Sequence, residues 1–477
     1  MHDSPVRAEN ARPGTRDWLL DRPAPVACGT RAMAIEGYCS AASVRAGEEF
    51  TLYVSTNPST NWSVEWYRSG YYGGAGGRLV RRDDGLPGAI QPTPDFGPFR
   101  IRACAWEPSL TFTIPADWLS GVYVGKLTAH DSGYQSYVVF IVKDDRPCDL
   151  IQQCSDLTWQ GYNRWPDQCS LYDDGVHNGM YVGPGVGVSF DRPYGKYRQL
   201  EDYPLSEGSG EWLLWEFPFA YWAEQEGYDV SYISGLDLDG DPGTLRRTRG
   251  FLSVGHDEYY TQRMYDSLYA AVEEGLNVGF FSGNSVAGQL TPAACPPRSL
   301  VRTDSFSAWE EQTLTTTPTS SYLPHQAPDS RDLLGSRSTF PVMGGADWTC
   351  VLPDHWIFAG TGMRYGDCIP GLVGWETHGL VSELRKPDVV AAGTVSSDYG
   401  SGPYAATVYA TASGSLVFNA ATIYWADGLS APPGYQRPRD YVPRNGPDPR
   451  VQAITRNVLD RFVASSRLGD RPVAPGQ

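Results

Sequence analysis

The chain of 477 residues carries 55 acidic against 38 basic side chains, a formal charge of −17, and a surface of that sign repels a phosphate backbone, which argues against nucleic acid as a partner. Charged residues make up only 19% and aromatics 13%, while Gly and Pro number 52 and 37. Such a composition excludes extensive disorder and predicts short strands, many turns and an interior rich in Trp and Tyr. The longest apolar run, Tyr137–Val142, is far short of the ~20 residues that cross a bilayer, so no membrane partner is expected.

Residues 1–36 read as an arm laid over the surface, Arg- and Pro-rich as far as Val26. The first residues, Met1–Pro13, are polar and lack an apolar stretch suited to secretion. A cytoplasmic protein is the expectation, with a trimmed mature form as the alternative. Residues 37–146 follow as short alternating stretches broken by turn residues, among them Phe50–Ser55, Trp62–Arg68, Gly121–Thr128 and Tyr134–Val142. Their spacing predicts a β-sandwich of immunoglobulin-like size.

The character changes over residues 147–477. A helix is expected over Phe217–Gln225, strands over Val230–Ile233, Phe251–Val254 and Val278–Ser282, and helices over Leu245–Arg249 and Gln262–Glu274. Strands alternating with helices predict an α/β domain with a parallel sheet, and ligands of such sheets sit at the carboxyl ends of the strands. From Phe306 to Phe418 turns and short strands predominate, which reads as an added antiparallel sheet. The spacing of Ile454, Val458 and Phe462 predicts a closing helix over Val451–Ala464.

The nine cysteines include no CxxC pair, which argues against a zinc ribbon, and their odd number leaves at least one thiol free. Cys148 with Cys154, or Cys350 with Cys368, are pairs that an oxidising compartment could join.

The densest chemistry lies in Gly255-His256-Asp257-Glu258-Tyr259-Tyr260, between an expected strand and an expected helix. A histidine, two carboxylates and two phenols at a strand's carboxyl end are costly to place without a task; the alternative is that Asp257 or Glu258 caps the helix. After the next strand, Gly283-Asn284-Ser285-Val286-Ala287 approaches the G-x-S-x-G elbow of serine hydrolases, and His325, His355 and His378 follow in the right chain order. The competing reading makes Asn284 and Ser285 hydrogen-bonding residues of the same pocket. Asp237, Asp239 and Asp241 resemble the start of a calcium loop, but position twelve is Thr248, so a turn is the safer reading. Glu376, close to His378, and Glu310 and Glu311, after Trp309, are carboxylates suited to bind a metal or to accept a proton from water.

One resemblance runs through the chain. The segments Trp66-Tyr-Arg-Ser-Gly-Tyr-Tyr-Gly-Gly-Ala-Gly-Gly-Arg78, Thr158-Trp-Gln-Gly-Tyr-Asn163 with Ser170-Leu-Tyr172, Ser189-Phe-Asp-Arg-Pro193, Gly227-Tyr-Asp-Val-Ser-Tyr232, Gly255-His-Asp-Glu-Tyr259 and Gly374-Trp-Glu376 resemble, in order and spacing, the C-terminal region of the large subunit of N,N-dimethylformamidase. The resemblance implies an immunoglobulin-like β-domain joined to an α/β domain of glutamine-amidotransferase-like topology. It further implies hydrolysis of a small amide at a mononuclear non-haem iron held by two tyrosinates and a glutamate.

Carried over by motif, Tyr259 is one tyrosine ligand, Glu310 or Glu311 the glutamate, and Glu376 a general base. The second tyrosine falls at Pro218, with Tyr221 about one turn away as the substitute. The expected activity is a metal-dependent hydrolase of a C–N bond, with His256, Glu258, Asn284 and Glu376 as its catalytic set and a small polar molecule as its partner. Self-association stays open. So do two alternatives, a different tailoring reaction in small-molecule biosynthesis and a carbohydrate-binding protein with a vestigial site.

Overall fold

The structure, a computed structural model, describes residues 4–177, 180–197, 203–307, 327–437 and 446–470. Alternation in the first third produces two facing sheets. One has three strands, Glu36–Cys39, Glu49–Ser55 and Leu110–Thr113; the other runs Ser43–Arg45, Gln135–Lys143, Gly121–Ala129, Trp62–Ser69, Gly77–Leu86. Phe50, Leu52 and Val54 of the first meet Val64, Trp66, Leu127 and Phe140 of the second in one core, where the Phe50 ring lies 4.3 Å from Phe140 and 5.7 Å from Trp66.

The larger sheet is covered on both faces. Successive side chains of a strand point to opposite sides, so Val138 and Phe140 enter that core while Tyr137, Val139 and Ile141 join the core of the following domain. This double burial is why Tyr137–Val142 is an unbroken apolar run although it spans no membrane. Among the described residues no helix is long and apolar enough to cross one.

The second domain is built on a mixed sheet of nine strands. Val230–Ser234, Leu150–Cys154, Gly250–His256, Asn277–Gly283 and Leu416–Asn419 lie side by side and parallel. Gly400–Ala410, Asp388–Ser397, Ser336–Thr349 and Cys368–Val381 continue the sheet antiparallel. The expected short strands of this region are thus partly long ones, Ser336–Thr349 and Cys368–Val381 having 14 residues each. Turn residues misled the reading because irregularities in register, not chain reversals, absorb them. A smaller sheet, Gly187–Ser189, Ser299–Ser305, Gly288–Pro292 and Tyr259–Thr261, stands beside the parallel strands.

The α-helices follow their sequence signals, whereas the helix expected over Leu245–Arg249 is a 3-10 segment, Pro242–Arg247. Gln262–Glu274 starts at Thr261, whose hydroxyl accepts from the Met264 N–H, and stops at Gly275 with φ +110°. Phe217–Glu226 continues a π-turn, Trp212–Glu216, and ends at Gly227 with φ +83°. Pro449–Val463 closes the chain, with Ile454, Val458 and Phe462 fully buried.

The arm is a short helix, Pro5–Asn10, followed by irregular chain that makes isolated bridges from Thr15 to Gly77 and from Pro23 to Gln135. The Asn10 side chain accepts from the Tyr71 and Tyr72 N–H groups and donates to Glu224. Beneath it Arg68 of the five-stranded sheet makes a two-pronged bond to Glu224 of the helix Phe217–Glu226, at 2.9 and 3.0 Å with both side chains wholly buried. Ser120, Tyr72 and Tyr232 add further hydrogen bonds to this pair.

Removing one partner leaves a charge buried without its counter-ion. Arg68→Met or Glu224→Leu alone is expected to lower the unfolding free energy by about 3–5 kcal/mol, and the double substitution by less than the sum, as read from urea denaturation.

Candidate active site

Three parallel strands end close together and set the floor of the site. His256 is the last residue of Gly250–His256 and Asn284 follows Asn277–Gly283, while Tyr162 closes the helix after Leu150–Cys154. The antiparallel strand Cys368–Val381 then has to pass across the end of Asn277–Gly283. Gly283 permits it, since a Cβ there would lie 2.3 Å from the Glu376 carbonyl oxygen. The tight crossing holds Asn284 and Trp375 at φ +52° and +25°, and it delivers the Glu376 carboxylate to Asn284 Nδ2, which donates to it at 3.0 Å.

His256 stands among three carboxylates. Its Nδ1 is 3.0 Å from Glu211 Oε2, and its Nε2 is 3.2 Å from Glu376 and 3.4 Å from Glu258. Burial alone would lower the imidazole pKa, but the carboxylates outweigh it and hold the group well above its ordinary value. Glu211 is itself pushed up by burial, with His256 opposing. His256, Glu258 and Glu376 each offer a ligand atom, all within 4.8 Å of one another.

Two phenols converge on Glu258 from the other side. Tyr162 donates to Oε2 at 2.6 Å and Tyr172 to Oε1 at 2.9 Å, with the two hydroxyl oxygens themselves 2.9 Å apart. Burial first, and then the charge of Glu258, raises both phenols well above their usual range. Tyr259 lies one bond further out, donating to Tyr172 at 2.8 Å.

The family described as N,N-dimethylformamidase beta subunit-like, C-terminal, matches residues 63–439. The chain belongs to that family. The match begins inside the five-stranded sheet and covers all the residues just described. No curated protein matches the chain. Among solved structures, superoxide reductase (neelaredoxin) from Ignicoccus hospitalis and a point variant of it share 19% and 18% identity. Each alignment spans 23% of this chain and 84% and 81% of theirs, with TM-scores of 0.15; that likeness bears on neither fold nor chemistry.

For this dimethylformamidase-like chain the structure brings His256, Glu258, Asn284 and Glu376 together. Of the residues expected to hold metal, it keeps Tyr221 and Tyr259 apart. Tyr221 packs its ring on Tyr71 and Phe217, because the helix that carries it is tied to the five-stranded sheet through Glu224 and Arg68. Tyr259 touches Tyr172, not the carboxylate, and Glu310 lies outside the described residues, as do Glu311 and His325. Asp257 and Glu258 do not cap the helix, a task that falls to Thr261. Asp257 instead accepts from Ser253 and Tyr260 in a buried network and is raised by burial to about 6.

Ser285 is no nucleophile with a base at hand. His378 Nε2 accepts from its backbone N–H at 2.8 Å, and burial lowers that imidazole to about 4. Where a turn was expected at Asp237 the structure has a short helix, Gly235–Gly240, with Asp237 in a capping box with Ser234. Reasoning from sequence passed over Tyr162, Tyr172, Glu211 and Arg302 as site residues. The first two sit in segments that carried the family resemblance, so a signal was present; nothing local marks Glu211 or Arg302.

Asp156 opens the helix that carries Tyr162, with one oxygen accepting from the Gly235 N–H at 2.7 Å. Burial raises its pKa from 3.8 to about 8. A raised folded value means that its stabilising share is complete below the unfolded value, near 4, and is lost as the pH rises through about 8. Asp156→Asn is therefore expected to flatten the fall in urea stability between pH 5 and pH 8 by an amount on the order of a few kcal/mol.

Proposed function

We propose that this protein is a metal-dependent hydrolase of the C–N bond in a small polar amide, working at the carboxyl ends of an amidotransferase-like parallel sheet. The observation that carries the reading is the convergence of Tyr162 and Tyr172 on Glu258, at 2.6 and 2.9 Å, beside the His256–Glu376 pair at 3.2 Å. Two phenol oxygens and one carboxylate are the donor set that the family resemblance implies for iron. Tyr162, Tyr172 and Glu258 thus replace Tyr221, Tyr259 and Glu310 in the proposal.

The chemistry of the surroundings favours a cation. Three carboxylates crowd one buried imidazole, and His256 Nε2 finds no well-formed hydrogen bond there. Buried charges of one sign are tolerated only when paired, protonated or bound to a metal. Hard oxygen donors suit iron(III), whose charge would favour the phenolate forms that burial opposes at both tyrosines.

A bound iron would supply Lewis-acid polarisation of the amide carbonyl. The chain's own residues handle the proton. Glu376, fixed by Asn284, accepts it from water as the water oxygen bonds to the carbonyl carbon. His256 sits within reach of Glu376, with its ring orientation held by Glu211 on Nδ1. It can pass the proton to the nitrogen as the C–N bond breaks, releasing an amine and a carboxylic acid. A small-molecule substrate is the partner this reading requires.

Elemental analysis of the purified protein is expected to find stoichiometric iron, and Tyr162→Phe combined with Tyr172→Phe to abolish it. Glu376→Gln should keep the iron and lower kcat on small amides by roughly 10²–10⁴-fold. Undiminished amide hydrolysis by an iron-free preparation would sink the proposal.

A further inference from the structure

Tyr259, displaced from the role the motif suggested, occupies the middle of a chain of hydrogen bonds whose direction is fixed by its ends. Arg302 Nη1 lies 3.4 Å from the Tyr259 hydroxyl, Tyr259 is 2.8 Å from the Tyr172 hydroxyl, and Tyr172 is 2.9 Å from Glu258. A guanidinium can only donate and a carboxylate can only accept. The two hydroxyls between them must therefore point the same way, from Arg302 through Tyr259 and Tyr172 to Glu258.

The chain is rigidly built. Arg302 is 1% exposed and pinned by the Gly183 and Tyr181 carbonyls at 2.9 Å each. No carboxylate among the described residues forms an ion pair with it, and its cation stands 5.3 Å from the centre of the Tyr172 ring. The Tyr259 ring is clamped between two glycines: a Cβ at Gly288 would lie 2.3 Å from it, and one at Gly161 3.0 Å. Its N–H is held by Thr158 at 3.1 Å. Tyr259 and Arg302 belong to the small sheet beside the parallel strands, which gives that sheet a purpose at the site.

We infer that Tyr259 and Arg302 are positioning residues that withdraw electron density from the Tyr172 oxygen and so set its donor strength as a metal ligand, without binding the metal themselves. This rests on the assignment of Tyr172 as a ligand made above. The hydrogen bond survives ionisation of Tyr172, because Tyr259 is the donor in it. A hydrogen bond into a phenolate lowers the energy of its lone pairs, as outer partners of metal ligands generally tune them.

The test is the visible phenolate-to-iron(III) charge-transfer band of the purified iron protein, recorded with its iron content. In Tyr259→Phe, which keeps the ring and loses only the hydroxyl, the band is expected to move to longer wavelength with iron content unchanged. Arg302→Lys should move it in the same direction by less. An unmoved band in iron-loaded Tyr259→Phe overturns the inference and leaves the metal assignment standing. Loss of iron from Tyr259→Phe also overturns it, by making Tyr259 itself a ligand. Absence of iron or of any such band in the unaltered protein removes the metal assignment and the inference together.

Discussion

Three buried carboxylates share one imidazole, and much of the molecule is arranged around that imbalance. Glu211, Glu258 and Glu376 each come within 3.4 Å of His256. Uncompensated negative charge in so small a volume is expensive to desolvate, and each acid has its own donor from a different element. Glu211 has His256, Glu258 has Tyr162 and Tyr172, and Glu376 has Asn284. The balance of charge is what makes a bound cation chemically reasonable there, and it makes the same residues useful for moving protons.

Holding that arrangement requires close approach of backbones that side chains would prevent. Gly283 lets the strand bearing Glu376 cross the end of a parallel strand, and Gly161 and Gly288 leave room for the Tyr259 ring. The β-domain braces the same region from outside. Its five-stranded sheet has one face in its own core and the other in the core of the α/β domain, and the buried Arg68–Glu224 pair ties that sheet to the helix Phe217–Glu226. The arm seals this junction through Asn10 and through Trp18, whose ring meets Phe217 edge-on at 5.8 Å. The two domains thus form one packed body although the sequence reads as two.

Much of the scaffold was legible from local pattern. Gln262–Glu274 was read with both ends correct because an amphipathic repeat lies between a threonine cap and a left-handed glycine. Three of the five parallel strands, Val230–Ser234, Gly250–His256 and Asn277–Gly283, were legible because continuous apolar runs alternate with helices. The long antiparallel strands were not, since irregular register in Ser336–Thr349 breaks the period of two on which such a reading depends.

By itself the sequence determined which residues were chemically expensive: His256, Glu258, Asn284 and Glu376 stand out because titratable or amide groups interrupt apolar strand ends. It also carried the family resemblance, in segments that contain Tyr162 and Tyr172. Only the tertiary structure decided which phenols face Glu258. The partners come from a helix end, a loop and a strand end, with Tyr172 and Glu258 86 positions apart, and no local spacing encodes a distance that crossover connections set. For the same reason Tyr221, one turn from where a motif would place a ligand, lies against Tyr71 and Phe217, because the side of a helix on which a residue falls is fixed by what the helix packs against.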